Sequence, residues 1–180
     1  MIVRISIPVI AAFLLPLFLT ACSSVKVEQY ADRQPALSLM QFFNGELTAH
    51  GIVKDRKGRV TRTFNVIMRG SWDENGHGML EEDFIWSDGE KQQRTWYFTP
   101  DDTGQYWARA DDVKQPVPVN IAGNALFMKY QLQVNVKGRS LWLSVDDRMY
   151  LVDEDILMNE STLKKFGFRV GHVTLTMVRH

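Results

Sequence analysis

Three charged residues occupy positions where strand alternation calls for an apolar side chain. They are Glu82 and Arg94 in "EEDFIWSDGEKQQRTW" (81–96) and Asp147 in "LWLSVDDRMYL" (141–151). An unpaired charge in an apolar interior is so costly that such groups must pair with one another or meet a ligand. The planar fork of arginine suits a carboxylate or phosphate, which makes Arg94 the candidate contact for an anionic head group. Phe84, Trp86, Trp96, Met128 and Tyr130 fall on the same inward pattern and are candidates for the apolar wall around that head group. A desolvated Asp147 would have a raised pKa and could serve as general acid or base, with Glu82 as its companion. The plainer alternative is an ordinary cross-strand pair between Glu82 and Arg94, contributing about 0.2–1 kcal/mol, with Asp147 capping a loop.

Strand register decides which of these groups meet. If "SDG" (87–89) is a three-residue loop with Gly89 in the left-handed bulge position, Leu80 faces Trp96, Glu82 faces Arg94 and Phe84 faces Gln92. That register keeps Leu80, Phe84 and Trp86 on one face with Trp96. A two-residue "DG" turn would instead set Asp83 against Arg94. With "KG" (137–138) as a hairpin loop, Val134 faces Leu141, Leu132 faces Leu143, Tyr130 faces Val145 and Met128 faces Asp147.

The elements that would hold these residues are mostly strands. Leu37, Met40 and Phe43 in "ALSLMQFF" (36–43) are near helical spacing, and "NG" closes the segment. Beyond it the period is two, broken by turn clusters such as "RKG", "DENG", "SDG" and "DDTG". The predicted strands are 46–53, 60–72, 78–86, 91–99, 105–111, 125–136, 140–152, 156–164 and 170–178. A meander of this length leaves two costly edges unless it closes. The fold class is therefore all-β: an antiparallel up-and-down barrel of about 8–10 strands with one short N-terminal helix. Pro116 and Pro118 suggest an edge strand or mouth loop within 113–124. Strict alternation of direction would gather loops 54–59, 87–89, 112–124 and 153–155 into an acidic mouth, with Leu37, Met40 and Phe43 plugging the other end. Trp72 in "GSW" (70–72), a match to the glycine-any-tryptophan element of lipocalins, is expected in the core.

The N-terminal stretch "MIVRISIPVIAAFLLPLFLTAC" is one basic residue, an apolar run interrupted by prolines, and a small-residue approach to the chain's single cysteine. This is the pattern of a processed targeting segment. "LTAC" resembles a lipobox, implying a signal peptide over 1–21, acylation of Cys22, a polar tether over 22–35 and a barrel domain over 36–180. Ser23 in place of aspartate after that cysteine points to the outer membrane, periplasmic face. With Cys22 acylated, no thiol remains for disulfides, metal ligation or catalysis. The 21 basic and 21 acidic residues balance, which gives no electrostatic reason to expect nucleic acid. There is no nucleophile elbow, phosphate loop or histidine pair at ligand spacing, so no metal or cofactor is expected. "DEDILMNES" (153–161) lacks the glycine and spacing of a calcium loop and is read as a solvated turn.

The stretches "FFNGELTAHGIVKDRKGRV", "EEDFIWSDGEKQQRTW", "ARADDV", "AGNAL", "DDRMYLVD" and "STLKKFGFRVGHVTLT" resemble domain-of-unknown-function family 3833, uncharacterised Gram-negative lipoproteins. The likeness runs from about Phe42 to Val178. It implies a lipocalin-like barrel on a lipid anchor and offers no catalytic residues to carry over. Such families sit among genes for fatty-acid and membrane-lipid modification, which favours a lipid ligand by analogy. The expectation is thus a membrane-anchored protein that binds or shuttles a hydrophobic, anionic molecule such as a fatty acid. Two alternatives stay open: an isomerase or hydratase using Asp147 and Glu82, and a filled barrel serving as an envelope interaction module.

Overall fold

A computed structural model describes residues 24–136 and 138–180; the signal segment 1–21 and Cys22 lie outside the described residues. The strands are β1 (Gly45–Asp55), β2 (Val60–Trp72), β3 (Gly78–Trp86), β4 (Lys91–Pro100), β5 (Tyr106–Arg109), β6 (Val117–Pro118), β7 (Asn120–Ala122), β8 (Ala125–Val136), β9 (Arg139–Leu151), β10 (Ile156–Lys165) and β11 (Phe168–Arg179). One antiparallel sheet joins them in the order β6-β5-β4-β3-β2-β1-β11-β10-β9-β8-β7. The gap between its ends is narrowed by residues 112–114, which lie along β8: Val113 bridges Leu132, Gln133 N donates to the Asp112 carbonyl (2.8 Å), and Lys114 N donates to the Gln131 carbonyl (3.1 Å). The result is a nearly closed barrel, as the alternating pattern predicts.

Both hairpin registers are those read from the sequence. Leu80 opposes Trp96, Glu82 opposes Arg94, and Phe84 opposes Gln92; Gly89, at φ +85°, supplies the bulge. Met128 opposes Asp147 and Tyr130 opposes Val145.

The loop arrangement differs from the expectation. Nine strictly alternating strands would leave the first and last parallel, yet β1 and β11 pair antiparallel. The short β6, which returns beside β5, supplies the extra pass that reverses every later strand. The connections 56–59, 87–89 and 166–167 and Gly138 between β8 and β9 therefore share one end, and 153–155 lies at the helix end. Arg179 fixes that placement, since its guanidinium binds Asp155 (2.8 Å) and donates to the Gln41 carbonyl (3.2 Å). The predicted acidic mouth does not exist: the acids cluster at the helix end, where turns 73–77, 101–105 and 152–155 hold seven acids and no lysine or arginine.

The helix, α1 (Leu39–Phe42), starts at Ser38, whose Oγ accepts from Gln41 N (3.4 Å). It does plug that end, although through Leu39, Phe42 and Phe43 rather than Met40, which is 41% exposed. Phe42 and Phe43 pack edge to face. The "GSW" element clamps the plug. A Cβ on Gly70 would overlap the Phe43 carbonyl oxygen, while the half-buried Trp72 donates its indole N–H to that same oxygen (3.1 Å). Part of the segment read as a tether is also docked. Residues Val27–Tyr30 form a 3-10 turn, with Val27 buried against Ala125 and Phe127, and Tyr30 packed on Tyr150.

Candidate functional site

The barrel is hollow, so the filled-barrel alternative does not hold. A cavity of about 900 Å³ runs from a floor that includes Leu39 and Phe43 of the plug, past Leu126 and Met149, up to Glu90 and Val136 at the open rim. Inward alternation along eight long or central strands puts one side chain in two against this space. Phe84, Trp86 and Trp96 line it from β3 and β4, and Met128 and Tyr130 from β8. Glu82, Arg94 and Asp147 line it as well. Phe84 stacks on Trp86, and Tyr130 meets Trp96 edge to face at 5.6 Å between centroids. At the rim, the Arg62 guanidinium sits over Trp86 (4.0 Å) and pairs with Asp88 and Glu90.

The charged residues form two separate groups. On the β3–β4 wall, Arg94 donates through Nε (2.9 Å) and Nη2 (2.7 Å) to one oxygen of Asp112. Its Nη1 stands 3.9 Å from Glu82 Oε2. Glu82 is 8% exposed, and both Glu82 Oε2 and Asp112 Oδ1 are buried with no hydrogen-bond partner among the described residues. Burial pushes the Glu82 carboxyl up to about 7, against the pull of Arg94 and with the help of Asp112 and Asp147. Burial alone would lower the Arg94 pKa, but Glu82 and Asp112 outweigh it, so Arg94 is charged. Arg94 is thus already neutralised by Asp112 and is not the free anion receptor the sequence suggested. Glu82 does form the cross-strand ion pair with Arg94, at 3.9 Å and without a hydrogen bond.

On the opposite wall, both oxygens of Asp147 are engaged. Oδ1 accepts from Asn159 Nδ2 (2.6 Å) and Ser161 Oγ (2.7 Å), and Oδ2 accepts from the Tyr130 hydroxyl (3.1 Å). Burial raises the Asp147 pKa, and those three hydrogen bonds work against the rise. The Tyr130 phenol is held well above its ordinary value by burial and by Asp147. A buried carboxylate with both oxygens held by fixed donors is a structural polar knot. It neither caps a loop nor lies near the mouth, for Asp147 is four residues from the helix end of β9.

Sequence reasoning missed Asp112, Asn159 and Ser161. Asn159 and Ser161 share inward parity with the buried Leu157 on β10, and Ser161 pairs directly with Asp147. Two polar residues at inward positions beside an inward acid were the available signal, obscured by reading "DEDILMNES" as a solvated turn. Only Asp153–Asp155 is turn. Asp112 follows the end of β5, where the alternating pattern has stopped, and no local cue ties it to Arg94.

The family profile described as "Protein of unknown function (DUF3833)" matches residues 16–179. The chain belongs to that family. No curated protein matches it. Among solved structures, it is similar to a protein of unknown function from the DUF3598 family of Nostoc punctiforme, at 18% identity and TM-score 0.59 over 82% of this chain. The chain spans about half the length of that protein (51%). It is also similar to the S-type phycobiliprotein lyase CPES of Guillardia theta, at 12% identity and TM-score 0.49, covering 87% of this chain and 98% of that one. These likenesses concern the fold.

Proposed function

We propose that this DUF3833 protein binds or shuttles a hydrophobic molecule inside its barrel, with the polar end of that molecule at the Glu82–Arg94–Asp112 wall. The observation that carries the reading is a hollow lumen of about 900 Å³ lined by Glu82 and Asp112, each of which has one buried carboxylate oxygen, Oε2 and Oδ1, with no hydrogen-bond partner among the described residues. Ligand cavities of this kind span roughly 300–1,000 Å³, with apolar walls and a few convergent polar groups. A head group that donates hydrogen bonds, a hydroxyl, an amide or a protonated acid, supplies what these oxygens lack. An anionic head finds no net positive charge, because Asp112 already occupies Arg94. A fatty acid fits when it, or Glu82, carries a proton. The lipid-anchored form of the reading adds acylation of Cys22 and residence on the periplasmic face of the outer membrane. The enzymatic alternative rests on Glu82, whose pKa of about 7 suits general acid or base work; Asp147, held by three hydrogen bonds, serves it poorly.

The test is displacement of an environment-sensitive dye by molecules of equal chain length ending in a hydroxyl, a carboxylate or an ammonium. The alcohol is expected to compete equally on both sides of pH 7. The carboxylate should weaken as pH rises through about 7, when Glu82 ionises, and Glu82→Gln should remove that dependence. Failure of the dye to bind, or unchanged binding when Met128→Trp narrows the lumen beside Asp147, would sink the reading.

A further inference from the structure

The open end of the barrel has a chemistry that its fold does not require. Lys165 pairs with Phe168 across the β10–β11 hairpin, leaving Phe166 and Gly167 as a two-residue turn with φ of +51° and +83°. Such turns favour asparagine, aspartate or glycine at both positions, and a phenylalanine there is sterically strained. The strain is not offset by packing, because Phe166 is 86% exposed and Phe168 78% exposed. Val60, Val136 and Val170, at the rim ends of their strands, are exposed as well.

Around these apolar tips lies positive charge. The β1–β2 tip, next to the β10–β11 hairpin through the β1–β11 pairing, carries Arg56, Lys57 and Arg59. The β10–β11 tip carries Lys164, Lys165 and Arg169. The one acid among residues 54–59 and 164–169, Asp55, is occupied by Arg59 and by the turn's own N–H groups. The Lys165 ammonium sits 4.9 Å from the Phe166 ring centroid, a cation beside a ring as at a lipid headgroup boundary. The acids of the opposite end orient the molecule, drawing the basic rim toward a negative surface.

We propose that the open end docks on an anionic phospholipid bilayer, with Phe166 and Phe168 inserted among the lipids and the basic tips on the headgroups. Exposed aromatics flanked by lysine and arginine fit that boundary. Each basic side chain at an anionic surface strengthens binding by about fivefold, and salt screens the effect. The docking does not depend on what the lumen holds. It would, however, let an apolar molecule pass between bilayer and cavity without crossing water.

The test is hydrogen exchange of the full chain with vesicles of phosphatidylcholine, alone or mixed with phosphatidylglycerol. The readout is local to amides 164–170, so attachment elsewhere on the chain does not disturb it. Protection there is expected on the mixed vesicles at low salt, and loss of it at high salt. Phe166→Ser/Phe168→Ser should remove the protection and weaken flotation by about tenfold or more, while near-ultraviolet circular dichroism confirms an unchanged fold. Arg56→Glu/Lys57→Glu should weaken it, and Val152→Ser, at the helix end, should not. Equal protection on pure phosphatidylcholine, protection retained in the phenylalanine variant, or none on either vesicle overturns the proposal. So does the same protection on a soluble polyanion.

Discussion

Glu82 is the residue on which the electrostatics of the lumen turn. Its folded pKa of about 7 lies above the ordinary 4.5, so between those values the folded chain holds a proton that the unfolded chain releases. Stability from this group is therefore fully present below about 4.5 and is lost as pH rises through about 7. Replacing it with the neutral isostere reverses the loss. Glu82→Gln is predicted to raise stability by ~2–3 kcal/mol at pH 8 and to be near neutral at pH 4, read from thermal unfolding across pH. A variant that gains nothing at pH 8 relative to pH 4 would show that Glu82 ionises without penalty, as a solvated or tightly paired carboxylate does. The inward position of this residue, and of Arg94 and Asp147, could be read from alternation alone, because period two fixes the face of every strand residue. Their partners could not. Asp112 reaches Arg94 from a segment 18 residues later in the chain, and such long-range polar contacts leave no local pattern.

Among the elements, the strands were legible because turn chemistry and alternation agree. Asp73, for instance, accepts from the N–H groups of Asn75 and His77 in its own turn, and "DENG" announces it. The helix was legible in position but not in facing. With one turn of helix and a clamp at its end, the tertiary contact to β2, rather than the 3.6 period, decides which side faces inward. Gly70 and Trp72 make that contact, and the sequence showed only a weak lipocalin-like triplet. Gly70→Ala is predicted to cost about 1–3 kcal/mol by forcing the plug away from β2, measured by chemical denaturation. Gly70 has an ordinary negative or extended φ, unlike Gly89, so the cost would report the overlap with Phe43 and not backbone strain. A Gly70→Ala protein as stable as the parent would remove the clamp from this account.

For the whole molecule, the direction of the barrel matters most, and the sequence misleads there. The Pro-containing stretch after β5 hides the short β6, and one uncounted strand inverts everything downstream. The corrected direction sets a basic, apolar rim at the cavity mouth and acids around the plug. It also fixes where the proposed anchor would act. Val27 is seated beside Ala125 and Phe127 near the plug, and the residues from Cys22 to Val27 reach at most ~18 Å when extended. Tilted strands of this length make a wall of ~30 Å or more. An acylated Cys22 would hold the plug end toward its membrane, so that the mouth meets a second surface, an arrangement suited to passing an apolar molecule from one bilayer to another.

The central claim is that the lumen carries a ligand. Its most direct test is native mass spectrometry, with solvent extraction, of the protein purified from cells under mild conditions, beside Met128→Trp as a lumen-narrowing variant whose fold is checked by circular dichroism. A discrete lipid-like mass bound to the parent and reduced in the variant is the predicted result. A bare protein mass in both, with nothing extracted and no uptake of added long-chain alcohols, would contradict the account.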